Sequence, residues 1–265
     1  MKIAVIGGGN MGSAMVRAWI TRKAAKPADI LVYDRDKQKH GLMAKLKVKT
    51  LVDDWKLLKS YDVILLAVKP QDLLSLLAEI KPHISAKTIV FSIAAGVSVK
   101  KIASVLGKRK IVRAMPNMPA QIGMGITGWS ANSLVSAADK KTVAKLLEAM
   151  GHALYFADEE KLNAVTAISG SGPAYVFYFM EALFEAACRS GFKNDEAAQL
   201  VLGTFLGAGM LVNDLQKSPA ELRAKVTSKK GTTEAAITVF EKKKLKKIVE
   251  EAVKAAYKRA QQLSR

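Results

Sequence analysis

Short apolar runs rich in β-branched residues alternate with amphipathic segments over the first half of the chain. The runs are residues 2–6, 30–33, 63–68, 88–93 and 110–114, and the segments between them include 12–22, 73–80 and 99–106. A run apolar at every position predicts a strand covered on both faces, and a helical apolar repeat predicts a helix packed against it. Their alternation predicts βαβ units and a doubly wound parallel sheet. Two more strand-like stretches, 122–129 and 153–156, bracket a predicted helix at 136–150. From about residue 159 strand patterns disappear, and helices are predicted over 174–190, 196–215, 219–225 and 232–262. The change near Ala157 divides the chain into an α/β domain, 1–157, and an all-α domain, 158–265.

With 265 residues, 50% hydrophobic and 25% charged, the chain is long enough to bury a sizeable core, which excludes a minimal binding module and whole-chain disorder. A single cysteine, Cys188, and three scattered histidines, His40, His83 and His152, exclude a disulfide scaffold and provide no metal-ligand spacing, so no metal is expected. Only four apolar residues, Ile3 to Ile6, precede the first glycine cluster, too few for the apolar stretch of a targeting signal; the expectation is a chain that starts at Met1 and works in the cytoplasm. The longest charge-free stretch, 197–213, contains three glycines and falls short of the roughly 20 apolar residues a membrane span needs, so it is read as a buried helix. The net charge of +19 is the unusual number, and it raises nucleic acid, a membrane surface or an anionic ligand as partners.

An anionic ligand gains support from Gly7-Gly8-Gly9-Asn10-Met11-Gly12, a G-x-G-x-x-G directly after the first predicted strand and opening the first helix. Gly7 permits the tight turn, Gly9 lets backbone approach a pyrophosphate, and Gly12 allows close packing of helix on strand. Asp34 ends the second strand, where a ribose-binding acid belongs in a Rossmann-like domain. A carboxylate there favours NAD, whereas the adjacent Arg35, Lys37 and Lys39 can pair with the 2′-phosphate of NADP, and the two signals leave the 2′ group open.

The chain resembles the pyrroline-5-carboxylate reductase family over nearly its whole length. Four motifs carry the resemblance: Ile6 to Gly12; Ala67-Val68-Lys69-Pro70-Gln71; Val112-Arg113-Ala114-Met115-Pro116-Asn117-Met118-Pro119-Ala120; and Ser169-Gly170-Ser171-Gly172-Pro173-Ala174-Tyr175. A fifth match is partial. The family's substrate loop reads approximately V-T-S-P-G-G-T-T, and this chain has Val226-Thr227-Ser228-Lys229-Lys230-Gly231-Thr232-Thr233. Losing proline removes a fixed φ and losing glycine removes easy access to positive φ, so a changed loop backbone is expected.

The resemblance implies an oxidoreductase that reduces the C=N bond of 1-pyrroline-5-carboxylate to give proline, the last step of proline biosynthesis, with NADP as cofactor and NAD left open. It implies cofactor contacts from Ile6 to Gly12, Asp34, Arg35, Ala67, Val68, Lys69, Pro70, Ala94, Ala95, Gly96 and Asn117. Ser228, Gly231, Thr232 and Thr233 become the substrate site, Thr233 the candidate for hydrogen bonding the imine nitrogen, and Glu159 a further candidate for the pocket. Plain N-capping of the following helix is the competing role for Thr232 and Thr233. Asp53-Asp54 stand where the family's adenine side often carries Asn.

Two alternatives differ in class. A β-hydroxyacid-type dehydrogenase would need a lysine and an asparagine one turn apart after a glycine-rich segment, and residues 171–179 carry neither. A nucleic-acid or anion-binding protein would gather its cations on one face with interleaved aromatics, yet the lysines are spread along the chain and aromatics make up 6%. The stretch 197–213, with Gly203, Gly207 and Gly209, is more apolar than a surface helix. With the family's habit of interlocking its C-terminal helices, it leads us to expect a homodimer or a higher oligomer of dimers, without nucleic acid or membrane as partner.

Overall fold

The computed structural model describes residues 1–51 and 54–264. The strands are β1 (Ile3–Ile6), β2 (Ile30–Tyr33), β3 (Lys49–Leu51), β4 (Val63–Leu66), β5 (Ile89–Ser92), β6 (Lys110–Met115), β7 (Gly125–Ala131) and β8 (Gly151–Tyr155). They form one sheet in the order β3-β2-β1-β4-β5-β6-β7-β8. All neighbours pair in parallel except β6 and β7. That exception departs from the expected parallel sheet and has a local cause: residues 116–124 turn the chain straight back, without the helical crossover that parallel neighbours need.

Helices α1 (Asn10–Thr21), α2 (His40–Lys45), α3 (Pro70–Ile80), α4 (Val99–Leu106) and α5 (Ala137–Glu148) make the crossovers. Alternate strand residues enter two separate cores. Ile3, Val5, Val32, Leu65 and Phe91 pack with Met15, Trp19 and Leu146 on the α1/α5 face. Ala4, Ile6, Leu31, Leu66 and Val90 pack with Leu73, Leu77 and Ile102 on the α3/α4 face. Burial on both faces is why β1, β2 and β4 carry no charged or small polar residue and β5 only Ser92.

After β8 follow α6 (Lys161–Val165), a π-helical turn over Thr166–Gly170, α7 (Gly172–Arg189), α8 (Asn194–Leu215), α9 (Pro219–Lys225), α10 (Thr232–Lys242) and α11 (Leu245–Ser264). The single helix expected over 232–262 is therefore two, broken where Lys244 takes φ +56. The chain divides into two compact units, a sheet unit of Met1–Ser171 with Ala256–Arg265, and a helical unit of Gly172–Ala255. The pattern change at 157 falls just after β8, and the residues up to 171 pack with the sheet.

In the helical unit α7 and α8 form a pair, with Phe179 against Phe205 of α8 and Phe240 of α10. Among the described residues of this unit only Ala197 and Val201 are fully buried. Helix α8, expected over 196–215 and buried, runs from Asn194 to Leu215 and is mostly exposed in the single chain; by length and composition alone it is long enough to cross a membrane.

Candidate functional site

Strand order places the topological switch point between β1 and β4, where loops leave in opposite directions and a crevice opens at the carboxyl edge. The loop from β1 to α1 fills it. Gly7 has φ +106, and a Cβ there would fall 2.5 Å from the Ala67 carbonyl oxygen, so the β1 and β4 loops touch only because Gly7 is bare. A Cβ on Gly12 would collide with the Gly7 carbonyl oxygen, whereas one on Gly9 would meet nothing within 4 Å. The N-cap Gly9 leaves the first-turn N–H groups of α1 without a side-chain cap or a nearby acid. Uncapped amides at a helix start beside open space are the donor set that suits a pyrophosphate.

A cleft of about 390 Å³ adjoins this loop. Ile6, Gly7, Gly9, Asp34, Arg35, Ala67, Val68 and Lys69, all expected cofactor residues, line it. Gly8 lies beneath, its N–H donating to Asp34 Oδ2 at 2.6 Å, while Oδ1 accepts from Asp36 N at 2.8 Å. The Lys39 ammonium stands 3.5 Å from the same Oδ2. The carboxylate expected to meet a ribose is thus engaged by two backbone amides and a cation, and it ties the glycine loop to β2. Arg35 reaches Glu79 at 3.5 Å across the rim.

Sequence reasoning missed Tyr33, Trp55, Asp72, Ser75, Leu76 and Glu79, which line the same cleft. The α3 residues were findable, since Asp72, Ser75, Leu76 and Glu79 share one helical face above the switch point. Tyr33 and Trp55 stack with ring centroids 4.9 Å apart. Among the described residues the buried Tyr33 hydroxyl has no hydrogen-bond partner, and burial pushes its ionisation well above the usual tyrosine range, so it stays protonated. Asp53 lies outside the described residues.

The remaining sheet-unit candidates sit further along the carboxyl edge. Ala94, Ala95 and Gly96 form the loop after β5 and do not line the cleft. Asn117 accepts from Ile126 N at 2.9 Å and donates to Ser169 Oγ at 3.3 Å, which joins the β6–β7 turn to the π-helical turn. Glu159 accepts on Oε1 from Arg113 at 2.8 Å and from Val99 N at 2.9 Å.

The loop expected to take the substrate belongs to the helical unit. Ser228 O accepts from Gly231 N at 3.0 Å, closing a turn whose Lys230 takes φ +60. The left-handed conformation is thus adopted by a lysine, with its N–H held by Glu234 Oε2 at 2.7 Å. Ser228 Oγ occupies the space a Cβ on Gly231 would need. Helix α10 begins at Thr232 with Gly231 as N-cap and no side-chain cap, so Thr232 and Thr233 are its first two residues and not its capping residues.

A family model described as pyrroline-5-carboxylate reductase dimerisation matches residues 159–263, and one described as NADP oxidoreductase coenzyme F420-dependent matches 2–96. The pyrroline-5-carboxylate reductase of Pseudomonas aeruginosa is 36% identical over 265 residues, covering 99% of this chain and 97% of that protein. The chain belongs to the pyrroline-5-carboxylate reductase family. A solved structure of the family's enzyme from Coxiella burnetii superposes with a TM-score of 0.93 at 38% identity, over 100% of this chain and 98% of that one. The Plasmodium falciparum pyrroline carboxylate reductase, solved with NADP bound, gives 0.90 at 28% identity, over 100% and 98%. The family's dimerisation region contains the whole helical unit, whose apolar surface is left open in the single chain.

Proposed function

We propose that this chain reduces 1-pyrroline-5-carboxylate to proline with NADPH, as a homo-oligomer joined through its helical unit. The observation that carries the cofactor assignment is the engagement of Asp34. Its oxygens each already accept one backbone N–H, from Gly8 and Asp36, which leaves fewer lone pairs for a ribose hydroxyl, while Arg35 and Lys39 line the same cleft, where a 2′-phosphate would compete with Glu79 and Asp34 for them. The uncapped amides at the start of α1 take the pyrophosphate. Trp55, backed by the buried ring of Tyr33, gives the adenosine end an aromatic wall.

Bound NADPH supplies the hydride that the imine carbon accepts, and the ring nitrogen takes a proton. The chain holds and orients the substrate. Its carboxylate rests on the Ser228 hydroxyl and the amides of Thr232 and Thr233, the uncapped start of α10, while Gly231, whose own N–H is held by Ser228 O, keeps the turn compact. The Thr233 hydroxyl hydrogen-bonds the ring nitrogen. A threonine is too weak an acid to drive protonation, so the nitrogen takes its proton before the hydride arrives and the Thr233 oxygen accepts from that N–H and positions it.

Purified protein should consume nicotinamide absorbance when NADPH and pyrroline-5-carboxylate are both present and should form proline; silence with NADPH and with NADH ends this reading. Thr233→Ala should lower kcat about 10- to 100-fold, at or below the low end of proton-transfer contributions as befits a group that only positions the nitrogen, with the Kd for NADPH unchanged. An unchanged kcat removes Thr233 from the chemistry.

A further inference from the structure

The loop 93–98 leaves the carboxyl edge at β5, one strand beyond the β1/β4 crevice. A dinucleotide laid across that crevice puts its adenosine half on the β2 side, marked here by Asp34 and Lys39, and its other half over β4 and β5. The loop is held at three points. Ser92 Oγ accepts from Ala94 N at 3.2 Å at its start, and Glu159 Oε1 accepts from Val99 N at 2.9 Å at its end. Between them Gly96, at φ +72, lies against the C-terminal turn of α11, where a Cβ would fall 2.7 Å from Leu263 Cβ.

The Glu159 anchor is unusual in its cost. Its oxygen also binds Nη1 of Arg113 at 2.8 Å, and Arg113 is 4% exposed, lying in β6 directly opposite Ser92 of β5. Both ends of the loop are therefore referenced to the same pair of strands. Helix α4 has a cap of its own, with Ser98 Oγ accepting from Lys101 N at 3.2 Å. A second acceptor backed by a buried guanidinium fixes the loop more tightly than forming the helix requires. Glu159 arrives from beyond β8 and Leu263 from the end of the chain, so two distant segments converge on one short loop.

We infer that Glu159 is a positioning residue for hydride transfer, acting through the loop 93–98 and not by touching substrate, with Leu263 closing the same loop from outside. The inference rests on the reductase reading above. It is tested in the full-length protein with Glu159→Ala and Glu159→Gln, the latter keeping an acceptor for both donors. Amide exchange of 93–99 and NADPH affinity, followed by energy transfer from tryptophan, are read without substrate; kcat, KM and the isotope effect with 4-deuterated NADPH are read with it.

Glu159→Ala should speed exchange of the loop and lower kcat about 30-fold, on the scale that a misplacement of about 1 Å costs. KM for pyrroline-5-carboxylate should stay within about threefold and the isotope effect should rise, because a loosened loop slows only the chemical step. Glu159→Gln should stay close to the parent protein. A raised KM with unchanged kcat, equal losses in both variants, or unchanged loop exchange overturns the inference. Gly96→Ala disturbs the loop without stranding Arg113, because its Cβ would fall 2.7 Å from Leu263 Cβ at a φ of +72, and it covers the case in which the glutamate variants do not fold; it too should speed loop exchange and lower kcat, and no change in either overturns the inference. Failure of the parent protein to reduce pyrroline-5-carboxylate would instead sink the functional reading, and the substrate-free exchange data keep the two failures apart.

Discussion

The two units place their apolar residues in opposite ways. In the sheet unit alternate residues of each central strand enter one of two packed clusters, and Ile3, Val5, Leu65 and Phe91 are wholly out of solvent. In the helical unit Tyr178, Leu206 and Met210 are 76%, 57% and 62% exposed. The sheet unit completes its core with its own chain, while the helical unit presents the kind of surface that another copy covers, in agreement with the dimerisation model it matches. The cleft beside the glycine loop, proposed above to take the cofactor, belongs to the self-sufficient unit. The loop expected to take the substrate belongs to the unit that needs a partner.

Leu206→Glu should break this contrast most sharply. A carboxylate on the apolar face of α8 cannot be buried against a second copy without a partner of its own, so self-association should weaken about 100-fold or more. Sedimentation and turnover measured together should show monomer and lost activity with NADPH binding retained. Leu134→Glu, at a comparably exposed leucine of the sheet unit, should change neither. An intact oligomer in the α8 variant would show that this face is not the interface.

A smaller effect is expected at the cleft. The double change Arg35→Ala and Lys39→Ala should reduce the preference for NADPH over NADH about 10- to 100-fold, the weight of one or two charge-assisted hydrogen bonds. Dissociation constants for both cofactors measure it, and an unchanged ratio would return the selection to Asp34.

The smallest effect tests the sheet unit's own stability. Burial acts to raise the Asp139 carboxyl, but hydrogen bonds from Lys110 at 2.8 Å and the Ser136 hydroxyl at 2.7 Å outweigh it and hold the group below its usual range. A folded value below the unfolded one, about 3.9 for aspartate, means the stabilisation is present above that pH and is lost as pH falls through the folded value. Asp139→Asn should cost about 1 kcal/mol at neutral pH, the worth of a helix N-terminal carboxylate and cap, with the gap narrowing in acid. Denaturant unfolding at pH 7 and pH 3 measures both. A gap that does not narrow would remove the charge from the account.

The central strands could be read from the sequence to within a residue or two, because burial on both faces leaves continuous apolar runs. Edge strand β3 escaped notice since Lys49-Thr50-Leu51 is half exposed and has no such pattern. The break between α10 and α11 escaped because Lys243 and Lys244 are good helix formers, and neither glycine nor proline marks the left-handed residue that ends the turn. At the site, the glycine loop was legible because backbone geometry demands particular residues there. Glu159 was visible as a candidate, but its link to Arg113, 46 residues away, is a product of the fold and leaves no local trace. Whether α8 faces its own chain or another is equally beyond periodicity, which reports that a face is apolar and not what covers it.

The turn at Lys230 has a consequence for the lifetime of the chain. Two lysines on an exposed, left-handed turn form an address that a trypsin-like protease reads readily, and a cut there would separate Ser228 from Gly231 and divide the proposed substrate loop in two. A Pro-Gly version of the loop offers such a protease no cation to grip. In this chain, occupancy of the loop by substrate or product would therefore also serve as its shield.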